Sequence, residues 1–246
     1  MSARDYGREV IDRTAFIRGV LADSGADGII YGNSGGKDCT LAGYLCKQAC
    51  DNTVGLILPC GSKRNYGEDM DDALAAAELF GVKTRVIDLT AARDALLDEI
   101  KTQAGVTGLA AANAAARLRM IALYTVGSSE NRLVAGTGNR SERYMGYFTK
   151  WGDGACDFNP IADLTVTEIY EFLRYIGAPE NIANKVPSAG LYEGQTDENE
   201  MGVAYASIDG YLLNGVADAR DLAIMERYHK TSGHKRALPA VYGVYE

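Results

Sequence analysis

The chain has 246 residues, of which 47% are hydrophobic and 24% charged, with 28 Gly, 5 Pro and a formal net charge of −8. This size and balance fit one globular α/β domain over residues 1–246 and exclude a disordered, fibrous or collagen-like chain. The acidic balance speaks against a broad nucleic-acid surface, so any anionic ligand must be captured by local groups.

No window approaches the length of a membrane span. Residues 1–9 mix Arg and Asp with no apolar stretch behind them, which predicts neither a signal nor a transit peptide. The cysteines Cys39, Cys46, Cys50, Cys60 and Cys156 are odd in number and lack paired metal spacing. They read as reduced thiols of a cytoplasmic protein. Cys46 and Cys50, four apart, read as two small core-facing residues on one helix stripe and not as a zinc site.

In chain order, Val10, Ile11, Phe16, Ile17, Val20 and Leu21 recur at helical intervals and predict a helix over 5–21. A short apolar run, 28–32, ends in Asn33-Ser34-Gly35-Gly36, and Leu41, Leu45 and Cys46 open a new helical face. That is strand, glycine loop, helix. The cycle repeats with a strand at 53–58, a helix at 66–80 and a strand at 84–89. Helices follow at 91–103 and 109–128, then a buried strand at 133–137. Beyond Pro160 the chain reads as helical, with candidates at 166–175, 198–204, 208–213 and 218–228. Residues 187–197, rich in Gly, Ser and Thr, read as a functional loop. Nearly all-apolar strands spaced by helices predict an open parallel sheet flanked by helices on both faces, Rossmann-like. Ligands of such sheets bind beyond the carboxyl ends of the strands, so 33–39 and 136–142 should converge on one crevice.

Ser34-Gly35-Gly36-Lys37-Asp38-Cys39 is the sharpest motif. Each glycine costs roughly 1 kcal/mol relative to Ala inside a helix, so a pair at a helix start is expected where bare backbone approaches something closely. Amides at a helix N-terminus suit a phosphate; a simple tight turn is the alternative on these residues alone. Asp38 is either a hard oxygen ligand for a cation or an acid that favours the helix dipole. Gly-Thr-Gly-Asn at 136–139 is, alone, a helix cap.

The loop resembles the pyrophosphate loop Ser-Gly-Gly-x-Asp-Ser/Thr of the N-type ATP pyrophosphatases, which cleave ATP between the α- and β-phosphates. Cys39, whose thiol is the weaker donor, stands where that family usually has Ser, with Thr40 beside it. Gly136 to Glu142 followed by Gly146-Tyr147-Phe148-Thr149-Lys150-Trp151-Gly152-Asp153-Gly154 is similar to the signature of the NAD synthetases. Asn159 to Leu164, Pro187 to Glu198 and His234-Lys235-Arg236 extend the likeness over nearly the whole chain from Gly28. It implies a fold of the adenine nucleotide alpha-hydrolase type and a ligase that uses ATP and Mg²⁺ to turn deamido-NAD into NAD through an adenylate.

Carried over residue by residue, the resemblance implies ATP on Gly32, Asn33, Ser34, Gly35, Gly36, Lys37, Asp38, Cys39, Thr137 and Ser188. It implies magnesium on Asp38 and Glu142. Arg117, Lys150, Asp157, His234 and Lys235 would contact deamido-NAD. Val166 departs from the family, which commonly has an ATP-contacting Lys there; Lys185 is a candidate substitute. Asp153 is the expected general base that takes a proton from ammonium, with Lys150 steadying developing charge. Gly152 and Gly154, and the glycines of 190–194, suggest segments that order over substrates.

Glutamine-using relatives carry an amidohydrolase domain ahead of the synthetase part, so free ammonia is the expected donor here. The family forms homodimers, and the apolar helices between Leu109 and Val126 would suit that contact or the monomer core. Two other readings remain at this level. One is another ATP pyrophosphatase, GMP-synthetase-like or tRNA-thiolating; the other is a degenerate nucleotide-binding module, motivated by Cys39 and Val166.

Overall fold

The computed structural model describes residues 4–61, 66–185 and 196–243. In chain order it gives α1 (Tyr6–Ser24), β1 (Gly28–Gly32), α2 (Lys37–Ala49), β2 (Thr53–Ile57), α3 (Glu68–Leu79), β3 (Lys83–Val86), α4 (Thr90–Lys101), α5 (Gly108–Ser129) and β4 (Arg132–Ala135). Six further α-helices complete the described residues: α6 (Arg140–Met145), α7 (Val166–Tyr175), α8 (Glu180–Ala183), α9 (Asp197–Met201), α10 (Tyr205–Asn214) and α11 (Ala219–Thr231).

The strands are all parallel, in the order β3-β2-β1-β4. β1 is central, and Ile30 is in register with Val54 on one side and Val134 on the other. Its side chains alternate between two cores, because successive residues of a strand point to opposite faces. Ile29 and Tyr31 join α1, α2 and α7 in one; Ile30, Val54, Leu56 and Val134 meet Leu123 and Val126 of α5 in the other. Burying a side chain such as Ile29 or Ile30, both 0% exposed, stabilises the sheet by about 1.5–3 kcal/mol.

This order positions the site. From β1 the chain moves outward through β2 and β3, then crosses back through α4 and α5 to place β4 on the other side of β1. The loops leaving β1 and β4 therefore diverge, which opens a crevice above their carboxyl ends.

A separate cluster, with Met145, Val166, Met201, Tyr205, Ile208 and Met225, binds α6, α9, α10 and α11 together. Asp209 pins it. Its carboxylate, 2% exposed, accepts from Ser141 Oγ at 2.5 Å and from Thr167 N and Oγ1, both at 2.7 Å. A buried charge is tolerable with donors of this kind around it.

The expected parallel sheet is present, and β1 and α7 have their predicted bounds. The strand expected over 84–89 is recorded as Lys83–Val86, yet Ile87 N and Leu89 N still donate to Ile57 O (3.0 Å) and Pro59 O (2.8 Å). Helices α6 and α8 were not predicted; four to six residues are too few for periodicity to register. Among the described residues no helix is long and apolar enough to cross a membrane.

Candidate active site

The glycine loop is fixed from beneath by Asn33. Its N–H donates to Leu56 O at 2.8 Å and its side-chain amide to Ala73 O at 3.0 Å, tying the loop to β2 and α3. Gly35 has φ +72°, and an added Cβ would run into the Asp69 carbonyl and the Ala73 amide. Only glycine combines that backbone angle with that closeness. Gly36 is the N-cap of α2 and supplies no side-chain cap. The first amides of α2 thus lack a capping side chain and lie at the positive end of the helix dipole, a cradle for phosphate oxygens.

Cys39 is 3% exposed and its thiol turns back into the loop, 3.1 Å from Gly36 O and 3.4 Å from Ser34 Oγ. It braces the turn. Thr40, its expected stand-in, keeps its hydroxyl buried and without a hydrogen-bond partner.

The second segment meets this loop through Asn139, which is 0% exposed. Asn139 caps α6 in a capping box: its Oδ1 accepts from Glu142 N at 2.9 Å, and its N–H donates to Glu142 Oε2 at 3.2 Å. Its Nδ2 also donates to Asp38 Oδ1 at 3.0 Å. Both expected magnesium ligands are therefore held by one residue, and the predicted convergence of 33–39 and 136–142 is real.

Lys37 lies against the same pair, its Nζ 2.7 Å from Asp38 Oδ2 and 3.8 Å from Glu142 Oε1. Burial alone would lower the Lys37 ammonium, but the two carboxylates outweigh it and hold the group above its usual value. Burial and then the charge of Asp38 push Glu142 well above the carboxylate range. The ammonium stands 5.8 Å from the centre of the Tyr205 ring, and the Tyr205 hydroxyl donates to Asp197 at 3.1 Å. Asp197, 4% exposed, adds to the negative field felt by Glu142.

Two carboxylates, each steadied through one oxygen and facing a common cation with the other, suit a hard divalent ion. Among the described residues no group of three or more His, Cys, Asp or Glu is placed to hold a metal ion. A magnesium ion here would rest on Asp38, Glu142 and the phosphates it accompanies.

The residues expected to touch the acceptor form a second cluster. Lys150 Nζ donates to His234 O at 2.6 Å, and Lys235 Nζ donates to Gly146 O and Phe148 O, both at 2.8 Å. The 146–154 segment is thus stapled to the short 3₁₀ turn Gly233–Lys235. Arg117 is exposed and reaches Lys150 O at 3.3 Å. Asp153 Oδ1 accepts from Thr149 N at 3.0 Å. Asp153 is exposed as a residue, but desolvation by surrounding protein lifts its carboxyl above the ordinary value, and the Thr149 bonds and Lys235 pull it back.

Asp157 behaves differently from its cluster mates. One oxygen accepts from Val134 N at 2.7 Å and the other from the Tyr124 hydroxyl at 3.1 Å, so the side chain anchors β4. The glycines that suggest an ordering segment are also closely packed: a Cβ at Gly154 would meet the Phe148 ring at 2.5 Å, and one at Gly152 would meet Thr149 at 2.9 Å. Gly152 N and Gly154 N both donate to Thr149 O, closing a turn in which Trp151 takes φ +61°.

Lys185 does not stand free for ATP; its Nζ is 2.9 Å from Asp69 and 2.6 Å from Asp72, on the turn of α3 that abuts Gly35. Val166 is 3% exposed within the apolar cluster of Met145 and Tyr205. Thr137 is partly buried between β4 and Asn139. Ser188 and the 190–194 stretch lie outside the described residues. Sequence reasoning missed the double tie of Asn139, the Tyr205–Asp197 pair and Arg119. Arg119 donates to Leu58 O at 2.9 Å, and its guanidinium feels both Asp153 and Asp69.

Known proteins are similar to this chain over most of its length. The NH(3)-dependent NAD(+) synthetase of Carboxydothermus hydrogenoformans is 44% identical over 229 residues, covering 92% of this chain and 93% of that one. The enzyme of the same name from Archaeoglobus fulgidus is 40% identical, covering 95% and 96%. Among solved structures, NMN synthetase from Francisella tularensis has a TM-score of 0.92 at 35% identity, covering 98% of this chain and 100% of that one. The NH3-dependent NAD synthetase from Campylobacter jejuni has a TM-score of 0.79 at 31% identity, with the same coverages. The family model described as NAD synthase matches residues 9–239, which takes in both arms of the crevice and the 3₁₀ turn behind it, and the chain belongs to that family.

Proposed function

We propose that this chain, acting as one domain, makes NAD from deamido-NAD, ATP and free ammonia, with release of AMP and pyrophosphate. The observation that carries the reading is the junction at Asn139, which joins the uncapped phosphate turn to a carboxylate pair at the point where β1 and β4 diverge. A carboxylate repels nucleophiles, so amide formation requires a better leaving group first. Attack of the nicotinate oxygen on the α-phosphate supplies one: AMP in a mixed anhydride. The amides of Gly35 to Cys39 bind the outer phosphates and leave the α-phosphate open. Asp38 and Glu142 would hold a magnesium ion, which would neutralise charge on the departing pyrophosphate.

Ammonia then attacks the acyl carbon. Ammonium dominates near neutral pH, so a base must remove one proton, and Asp153 takes it. The desolvation that raises this carboxyl improves it as a base. Amide formation therefore falls as pH drops through that raised value. Asp153→Asn should slow NAD formation by about 10²–10⁴-fold and leave pyrophosphate release from the first step intact; loss of both steps together would remove Asp153 from this role. Arg117, Lys150, His234 and Lys235 position the acceptor, and the exposed apolar side chains of α5, Leu109 and Ile121, form part of a homodimer contact.

One observation favours a second reading of the acceptor. The NMN synthetase structure follows this chain more closely than the NAD synthetase structure does, with TM-scores of 0.92 and 0.79. The chemistry at the pyridine carboxylate is unchanged if the acceptor is the mononucleotide. Purified protein given ATP, Mg²⁺ and either ammonium or glutamine, with deamido-NAD and nicotinate mononucleotide in parallel, distinguishes the two. A higher kcat/KM for deamido-NAD with ammonium supports the first reading, and a higher value for the mononucleotide replaces it with the second.

A further inference from the structure

The carboxylate pair is arranged with a symmetry that sequence does not show. Asn139 takes one oxygen of each, Asp38 Oδ1 through its side-chain amide (3.0 Å) and Glu142 Oε2 through its backbone N–H (3.2 Å). The two oxygens left over, Asp38 Oδ2 and Glu142 Oε1, face the same Lys37 ammonium at 2.7 and 3.8 Å. Lys37 is 6% exposed, with the Tyr205 ring beside its charge. Position 37 is the variable residue of Ser-Gly-Gly-x-Asp, so nothing in the motif demands a cation there.

We propose that Lys37 is a tethered cation that guards the notch between Asp38 and Glu142, so that a divalent ion enters it only together with ATP. The inference rests on the assignment of magnesium to these two carboxylates. Magnesium binds carboxylate oxygen at about 2.0–2.1 Å. An ammonium cannot stay in contact with the same oxygen, because the two positive charges repel strongly at that range. A bare ion must therefore expel the ammonium from Asp38 and Glu142, its close carboxylate partners among the described residues, into surroundings formed by Tyr205 and the loop, and an unpaired charge there is costly. ATP changes the balance, since its phosphate oxygens receive the ammonium as the ion takes its place. Metal and nucleotide then arrive as one unit, and free magnesium has little hold on the protein.

Manganese is a suitable probe, because electron paramagnetic resonance counts its free and bound forms. Without nucleotide, Lys37→Met should bind Mn²⁺ at least about tenfold more tightly than the wild-type chain. Adding Glu142→Gln to that variant should abolish the gain. Equal Mn²⁺ affinity of folded wild type and Lys37→Met, or a gain that survives Glu142→Gln, overturns the inference. Crystals of the wild-type protein give a test that needs no variant. Anomalous density for manganese between Asp38 and Glu142 is expected with MnATP, Lys37 then lying on a phosphate, and not with MnCl₂ alone. Manganese at that point without ATP overturns the guarding role. Manganese absent from both carboxylates even with ATP overturns the metal assignment beneath it.

Discussion

Two helices begin at the crevice, and they begin in opposite ways. α2 starts at Gly36, which has no side chain to satisfy the first amides, whereas α6 starts at Asn139, which closes a full capping box with Glu142. A helix that starts on Gly gives up a few tenths of a kcal/mol relative to an Asp or Asn cap and leaves its first amides to outside partners, which a ligand can supply. The capped start does the converse. It fixes Glu142 in one rotamer and, through the same Asn139, fixes Asp38 across the crevice. One helix end stays open, as the proposed phosphate site requires, and the other is closed around two carboxylates.

Breaking the closed end should have the largest effect. Asn139→Ala removes the side-chain cap and the tie to Asp38, leaving only the backbone N–H on Glu142, and should cost about 1–2 kcal/mol in urea unfolding and about 10–100-fold in kcat/KM for ATP. Asn139→Ser sharpens the point: its hydroxyl restores a cap acceptor without adding charge but supplies no amide donor to Asp38, so stability should largely recover and activity should not. Closing the open end is the complementary change. An added Cβ at Gly36 meets nothing nearer than Ser34 Oγ at 3.3 Å, so Gly36→Asp fits with a small adjustment. It should stabilise α2 by a few tenths of a kcal/mol, roughly the cap difference between Asp and Gly, while raising the KM for ATP about tenfold by setting a negative charge where phosphate binds. A variant that gains stability and keeps its KM would show that phosphate binds elsewhere. The smallest effect belongs to Cys39→Ser. The thiol braces the turn from inside, so the hydroxyl should change the KM for ATP by less than about fivefold, the equivalent of about 1 kcal/mol.

How much was legible in the sequence follows from where physical signals are local. β1 and α7 were read to the residue. In the first, an apolar run stops at a glycine loop; in the second, Thr165 and Glu168 form a capping box before Ile169, Phe172 and Leu173. The glycine turn is legible as a close-approach turn because its cost is intrinsic to the backbone. Asn139 was readable as a cap, but its reach to Asp38 spans 101 positions of sequence and depends on the β1/β4 switch. The Lys37 ion pair is opaque for the same reason, since half of it comes from α6. Asp157 and the Gly152/Gly154 pair were read as contacts with ligand or as mobility. Packing explains what the structure shows of them, because a buried amide at Val134 and a ring at Phe148 leave no trace in local composition.

In the proposed function the crevice activates a pyridine carboxylate by transferring AMP to it. A rapid-quench experiment with ATP, Mg²⁺ and deamido-NAD, ammonia withheld, examines that step alone. The prediction is a burst of pyrophosphate matching the concentration of sites, with AMP freed and NAD formed only after ammonium is added. Cleavage to ADP and orthophosphate, or intact ATP throughout with both deamido-NAD and the mononucleotide, would contradict it.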